Sequence, residues 1–393
     1  MKIASLFTGK RSRFSGAAFL MATSAIGPGF ITQTTVFTQQ LFTSFGFVIL
    51  LSVFIDLLVQ LNIWRIVAVS AMEAPAIADK VARGSGLLLV ILVSGGGLIF
   101  NIGNIGGCGL ALQTLFGLPV KTGAIISCLV AVLIFLNAEF GSTMDMVTKT
   151  LGFVMIGLVL FTAIKTNPPL PEILKHTIFP SAFNITSVVT IVGGTVGGYI
   201  SFAGAHRMLD ASRGSIVNIR EVNTNAARGI LLASLMRFLL FIAAAGVIAK
   251  GIMLPAANPA AGVFEASAGL VGLKLFGIVL WAAAITSVVG AAYTSISFIQ
   301  TIHPFIAANR RWFIIGFILL STIVFATNGN PVMILVKAGA VNGIILPLSL
   351  TLMLLASRKK KIVSDYSHPI WLTMGGWLVV ILLSVLSIRM LLF

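Results

Sequence analysis

Two glycine-interrupted apolar segments hold the residues best placed to do chemistry. The first reads Ala25-Ile26-Gly27-Pro28-Gly29-Phe30 and runs on through Gln33 and Thr34; the second reads Gly193-Gly194-Thr195-Val196-Gly197-Gly198-Tyr199. Glycine and proline inside a membrane-length apolar segment free backbone groups that lipid cannot bond. Such a break persists only where the backbone faces protein, water or a solute. Free N–H groups after Gly29 and after Gly198 favour an anionic group. The alternative reading is that these glycines only let helices pack closely. Around the breaks, Asp56 is the one acid well inside an apolar stretch. It reads as a proton site or as a structural partner of Lys337, which could equally pair with an anionic solute. Arg237 and Lys274 read as side chains snorkelling from helix ends. Asn101, Asn104 and Asn342 can bond across a helix bundle or reach a solute. The histidines, His176, His206, His303 and His368, lie far apart near segment ends and form no nucleophile–base pair or metal cluster, so an enzyme is not expected. Cys108 and Cys128 fall within apolar segments and suit neither a disulfide framework nor a metal site.

The elements that must position these residues are membrane spans. The chain has 393 residues, 58% of them hydrophobic and 9% charged, with a mean hydropathy of +1.07. That composition excludes a soluble domain. Eleven apolar segments of spanning length are predicted, at 14–36, 45–69, 86–115, 121–138, 148–165, 186–206, 229–249, 270–302, 311–327, 331–357 and 368–392. Of the 26 Lys and Arg residues, 18 fall at the N-terminus and in alternate loops, against five in the opposite loops and the C-terminus. The positive-inside rule then puts the N-terminus in the cytoplasm and the C-terminus outside. It also explains the net charge of +16 without nucleic acid. The 165–185 loop reads as an external connector between the halves, its prolines disfavouring continuous helix.

Segments one to five (14–165) and six to ten (186–357) make two sets of five, each opening on a broken segment, with 368–392 as an extra helix. An odd number of spans per repeat inverts the second copy. The expected class is therefore an all-α polytopic membrane protein of the leucine-transporter type, a 5+5 inverted repeat with its site between broken helices 1 and 6. The residues also resemble the NRAMP family of proton-coupled divalent-metal transporters. Gly16-Ala17-Ala18-Phe19-Leu20 through Gly27-Pro28-Gly29-Phe30 lies on that family's G-P-A-F-L…D-P-G-N. Ala111 to Pro119 is close to its A-L-N-L-L-F-G-I-P, Gly193 to Ile200 lies on its G-A-T-V-M-P-H-N, and Leu346-Pro347 matches its tenth helix. The resemblance implies metal ligands where this chain has Gly27, Phe30 and Gly197, a histidine at Tyr199, a polar ligand near Gly339 and a proton-route acid pair at Asn101 and Asn104. Every charge-bearing ligand is thus replaced, and a dication needs carboxylate, imidazole or thiolate donors.

The expected cargo is therefore a small organic solute, amino-acid-like or carboxylate. Its pocket would lie between the breaks, lined by Gly27, Gly29, Phe30, Gln33, Thr34, Gly197, Gly198, Tyr199 and Asn342. The alternatives are a divalent metal transporter (Mn, Fe or Mg) with an altered site, and a non-transporting sensor or scaffold. A methionine at Gly197 is expected to fit, because it restores the family's own side chain. No cofactor is expected beyond a coupling ion, H+ or Na+. Asp56, Asn101, Asn104 and Lys337 are the coupling residues considered, together with Thr286 and Ser287, which resemble the hydroxyl pair that holds sodium in some leucine-transporter-type proteins. A monomer in the cytoplasmic membrane is expected.

Overall fold

The computed structural model describes residues 26–136, 138–212 and 218–392, and the regular elements among them are helices. Eight stretches of these residues are long and apolar enough to cross a membrane. A ninth is added if Thr150–Thr166 and Leu170–Ile178, bent by 110°, form one span, and Val120–Leu136 is a shorter apolar helix. Every predicted segment from 45–69 onward falls on a helix. The first, 14–36, lies outside the described residues up to position 25, so the count of eleven stays an expectation.

Helix α1, Pro28–Leu41, starts where the sequence says it must. Gly27 is extended and Pro28 occupies the first helical position, where its missing N–H has no bond to lose. The expected unwinding over Gly27–Gly29 therefore stops at Gly27, and Gly29 is helical. A short 3-10 turn, Phe42–Ser44, leads into α2, Phe45–Ser70. Helix α3 (Ala74–Val81) connects to α4 (Ser85–Phe116), which ends on Gly117 at φ +70 with its N–H on the Gln113 carbonyl. Then come α5 (Val120–Leu136), α6 (Ala138–Thr166) and α7 (Leu170–Ile178). Helix α7 lies in the 165–185 connector, and the chain bends by 110° between α6 and α7, so helix is not continuous there. Pro169 is the N-cap of α7, a second proline sits in its first turn, and Ile173 is buried.

The second half opens with α8 (Ile185–Thr195), a break, and α9 (Gly198–Ser212), followed by α10 (Ile219–Ala249) and α11 (Pro259–Ile299). Helix α11 begins before the predicted 270 because the Asn258 side chain accepts from the Ala261 N–H and Pro259 follows it; Gly269, at φ +60, kinks the chain inside. The rest are α12 (Pro304–Ala308), α13 (Arg310–Asn328), α14 (Pro331–Ala356), α15 (Lys360–Val363) and α16 (Ile370–Leu392).

The broken helix is held by backbone-to-backbone packing. A Cβ on Gly193 would run into the Gly339 carbonyl and the Gly343 N–H, and one on Gly343 into the Val189 carbonyl. Helices α8 and α14 therefore touch through glycine, the close approach that membrane packing favours. On the other side, a Cβ on Gly107 of α4 would strike the Pro28 ring. Helix α4 thus sets the level at which α1 begins.

Candidate functional site

The second break is a true interruption. Helix α8 ends at Thr195, Val196 leaves helical geometry, and Gly198 restarts the helix at φ +34, a value that favours glycine. The freed backbone is partly satisfied locally: Ser201 Oγ donates to the Val196 carbonyl at 2.7 Å, and Trp64 Nε1 of α2 donates to the Ser201 carbonyl at 3.0 Å. The first N–H groups of α9 have no partner within their own helix, and the same holds for the first turn of α1, which has no side-chain cap.

The first break meets α11 and α4. A Cβ on Gly27 would stand 2.8 Å from Ser287 Oγ and 3.8 Å from Asn104 Oδ1. Ser287 Oγ and Asn104 Nδ2 are buried and have no hydrogen-bond partner among the described residues. Ser287 also lines a cavity of about 10 Å³ with Tyr199, Ile200, Gly290 and Thr294, room for about one water-sized particle. Tyr199 forms one wall and packs edge-to-face on Phe100 at 5.3 Å between ring centres. The corner between Gly27, Ser287, Asn104 and Tyr199 thus joins both breaks to unused neutral donors and acceptors.

A second polar centre lies beside α8. Asp56 of α2 is 1% exposed and Arg237 of α10 is 2% exposed. Arg237 Nη1 donates to Thr195 Oγ1 at 2.8 Å, and its guanidinium lies 4.2 Å from the centre of the Phe30 ring. The Arg237 charge reaches Asp56, while the Thr195 hydroxyl donates to the Ile191 carbonyl of its own helix at 2.8 Å. Both Asp56 oxygens, and Nε and Nη2 of Arg237, have no hydrogen-bond partner among the described residues. Arg237 therefore touches the last residue of α8 and the first turn of α1.

This geometry corrects several expectations. Arg237 is buried rather than snorkelling, and its charge reaches Asp56, whereas Lys337 is exposed. Lys274 does not snorkel either, since its ammonium caps the end of α4 at the Thr114 and Leu115 carbonyls. Phe30 is 1% exposed beneath Arg237 and does not share a pocket wall with Tyr199. Thr34 donates to the Phe30 carbonyl of its own helix at 2.7 Å, so its hydrogen is not available to a solute and only its oxygen could accept. Thr286 donates its hydroxyl to the Ala282 carbonyl of α11 at 2.9 Å, while Ser287 Oγ has no partner among the described residues.

Gln33 reaches across to the Leu335 carbonyl at 2.9 Å and fills the space between Gly194 and Gly339. Its Oε1 has no partner among the described residues. Gly29 packs against Phe100. Asn101 bonds Ser321 of α13 at 3.0 Å, away from the breaks. Asn342 donates to the Gly96 and Ala338 carbonyls and turns Oδ1 toward Gly198. Gly197 does not mark a vacated volume. A Cβ there would run into the Gly193 carbonyl and come within 2.8 Å of Asn342 Cβ, so methionine does not fit. Sequence reasoning missed Arg237 and Thr195 as site residues; the usable signal was a lone cation well inside the predicted 229–249 span.

The profile of the family described as natural resistance-associated macrophage protein-like matches residues 18–393. The chain belongs to the NRAMP family. An uncharacterised membrane protein of Bacillus subtilis is 52% identical over 387 residues, covering 98% of this chain and 96% of its own length. The divalent metal cation transporter MntH of Levilactobacillus brevis is 23% identical, covering 96% of this chain and 88% of its own. The crystal structure of the Eremococcus coleocola manganese transporter in complex with an aromatic bis-isothiourea substituted compound matches with a TM-score of 0.72 at 18% identity, over 96% of this chain and 85% of that one. The chain is thus an NRAMP-family membrane transporter with the leucine-transporter-type fold. At the positions where the resemblance implies ligands, Gly27 is an extended peptide, Phe30 a ring under a guanidinium, and Gly197 a close backbone contact. Among the described residues, no three His, Cys, Asp or Glu side chains are grouped to hold a metal ion.

Proposed function

We propose that the chain moves a divalent metal ion across the membrane by alternating access. The ion would be held at the Gly27–Ser287 corner by neutral oxygens and would keep much of its water. The observation that carries this reading is Ser287 Oγ, buried without a partner among the described residues, against the extended Gly27 and beside a cavity of about 10 Å³. Backbone carbonyls, the Asn104 amide and a serine hydroxyl are hard oxygen donors. A small dication that sheds its hydration reluctantly can use a few of them and retain water in its remaining positions. The relatives named as divalent metal cation transporters support this cargo better than the organic solute expected from the sequence.

In this reading the two repeats, 14–165 and 186–357, are inverted copies that rock against each other around the corner. The N-terminus faces the cytoplasm and the C-terminus the outside. A coupling ion, H+ or Na+, travels with the cargo, and Na+ competes for the Ser287 hydroxyl.

A small organic solute is the second reading. The observation on its side is the lack of any charged ligand at Gly27, Phe30 and Gly197. Proteoliposomes separate the two. Labelled manganese, magnesium and a panel of amino acids and small carboxylates are offered in parallel. Saturable uptake of a dication, and none of the organic solutes, is the expected result; uptake of an organic solute with no dication movement overturns it.

A further inference from the structure

A second polar cavity lies far from the breaks, in the linker between α14 and α16. It has a volume of about 490 Å³ and is lined by Arg358, Lys360, Ser364, Ser367, Tyr366 and His368, with Asp365 as the acid among its lining residues. We propose that it binds a phosphate-bearing anion, with Arg358 and Lys360 supplying charge and the Ser364, Ser367 and Tyr366 hydroxyls supplying hydrogen bonds. This goes beyond the transport reading and does not depend on the cargo.

The floor of the cavity is built rather than incidental. His368 Nε2 lies 2.8 Å from Asn62 Oδ1 of α2, and Tyr366 OH lies 3.3 Å from His368 Nδ1. Arg65 of α2 donates through Nη1 to Tyr366 OH at 3.4 Å and through Nε to Asn223 Oδ1 of α10 at 2.6 Å. The Asn62 oxygen can only accept, so Nε2 donates to it. Burial, and after it the charge of Arg65, hold His368 down at about 4. The ring is neutral at physiological pH, so Nδ1 accepts from the tyrosine. The tyrosine oxygen keeps one lone pair for the cavity. The cationic character of the lining therefore comes from Arg358 and Lys360, two cations against one acid.

Two sources share this chemistry, a phospholipid headgroup and free phosphate. The surroundings favour the lipid. The cavity includes Ile370 at the head of α16, and Ile370 and Trp371 are 70% and 57% exposed. The most apolar stretch of α16 is only 28% buried within the protein. A headgroup in the cavity would let its acyl chains follow that apolar face. Clustered basic residues beside a span are the ordinary means of recognising anionic lipid.

The test is native mass spectrometry of the full chain in detergent, titrated separately with phosphatidylglycerol, phosphatidylcholine and inorganic phosphate. One phosphatidylglycerol retained at concentrations where phosphatidylcholine is not supports a lipid headgroup. Retention of inorganic phosphate without phosphatidylglycerol supports the same site with a soluble ligand. R358Q/K360Q is expected to weaken binding about 30-fold, from roughly a fivefold effect per charge at a membrane surface. S367D, which adds one negative charge to the lining, should weaken binding about fivefold. K361Q/R220Q removes two charges outside the cavity and is expected to stay within about threefold of the parent. Equal loss in both double variants, or no preference for either anion over phosphatidylcholine, overturns the proposal.

Discussion

Replacing Arg237 with methionine isolates the buried charge pair beside α8. Methionine keeps an apolar contact over Phe30 but removes the charge, the bond to Thr195 and the cation–ring contact. Asp56, 1% exposed, then loses the guanidinium charge that reaches it. Breaking a buried pair from one side costs about 3–5 kcal/mol. At about 2.1 cal/mol/K of unfolding entropy per residue, the 393 residues make 1 kcal/mol worth roughly 1.2 °C in Tm. Arg237→Met is therefore expected to lower Tm by about 4–6 °C. Asp56→Asn should lower it less, because the guanidinium keeps Thr195 and Phe30. The double variant should return to within about 2 °C of the parent, since replacing both charges of a buried pair is close to neutral. Scanning fluorimetry in one detergent at one heating rate reads all four proteins. If Arg237→Met leaves Tm unchanged, or the double variant falls by the sum of the singles, the two charges do not support each other and this description of the site fails.

Gly27→Asp should fold, because the nearest atom to its Cβ among the described residues is the rotatable Ser287 hydroxyl at 2.8 Å and the backbone there is extended. It should tighten manganese binding by calorimetry at least about tenfold, as a carboxylate offsets lost hydration; no gain would mean that Gly27 does not face the ion. Gly197→Met should fail to give a monodisperse protein on gel filtration, since its Cβ collides with the backbone of Gly193; a well-behaved protein would show that α8 and α9 have slack there. Ser287→Ala should abolish dication uptake in proteoliposomes while Thr286→Ala stays near wild type, because of the two Ser287 is the one without a hydrogen-bond partner among the described residues; equal effects would contradict the assignment. His368 is held at about 4 against an ordinary 6.5, so the stability it contributes is full above pH 6.5 and is lost as pH falls toward 4. His368→Gln should flatten the decline of Tm across that window, and an unchanged slope would refute it.

The α8–α9 break and the helix start at Pro28 were legible because glycine and proline inside apolar segments carry a direct physical meaning. The sequence located the α8–α9 break and the start of α1 to within a residue or two. It could not say what the glycines accommodate. Gly197 reads as an emptied ligand position, yet the Gly193 backbone and Asn342 close that space. The charge pair was only half legible. Asp56 stands out as an acid in an apolar segment, but periodicity does not say which distant helix it faces, and Lys337 and Arg237 are equivalent on that ground. The hydroxyls separate in the same way. Thr34 and Thr286 turn back to their own helices while Ser287 does not, a difference of rotamer and neighbour that residue type does not encode.

The central claim is that a dication sits at the Gly27–Ser287 corner, and anomalous diffraction from crystals of the full chain grown with manganese tests it most directly. The expected result is a single manganese peak within coordination distance of Ser287 Oγ and the backbone at Gly27, absent from Ser287→Ala crystals grown the same way. Wild-type crystals with no manganese peak between the breaks, or with density for an organic molecule in that position, would contradict it.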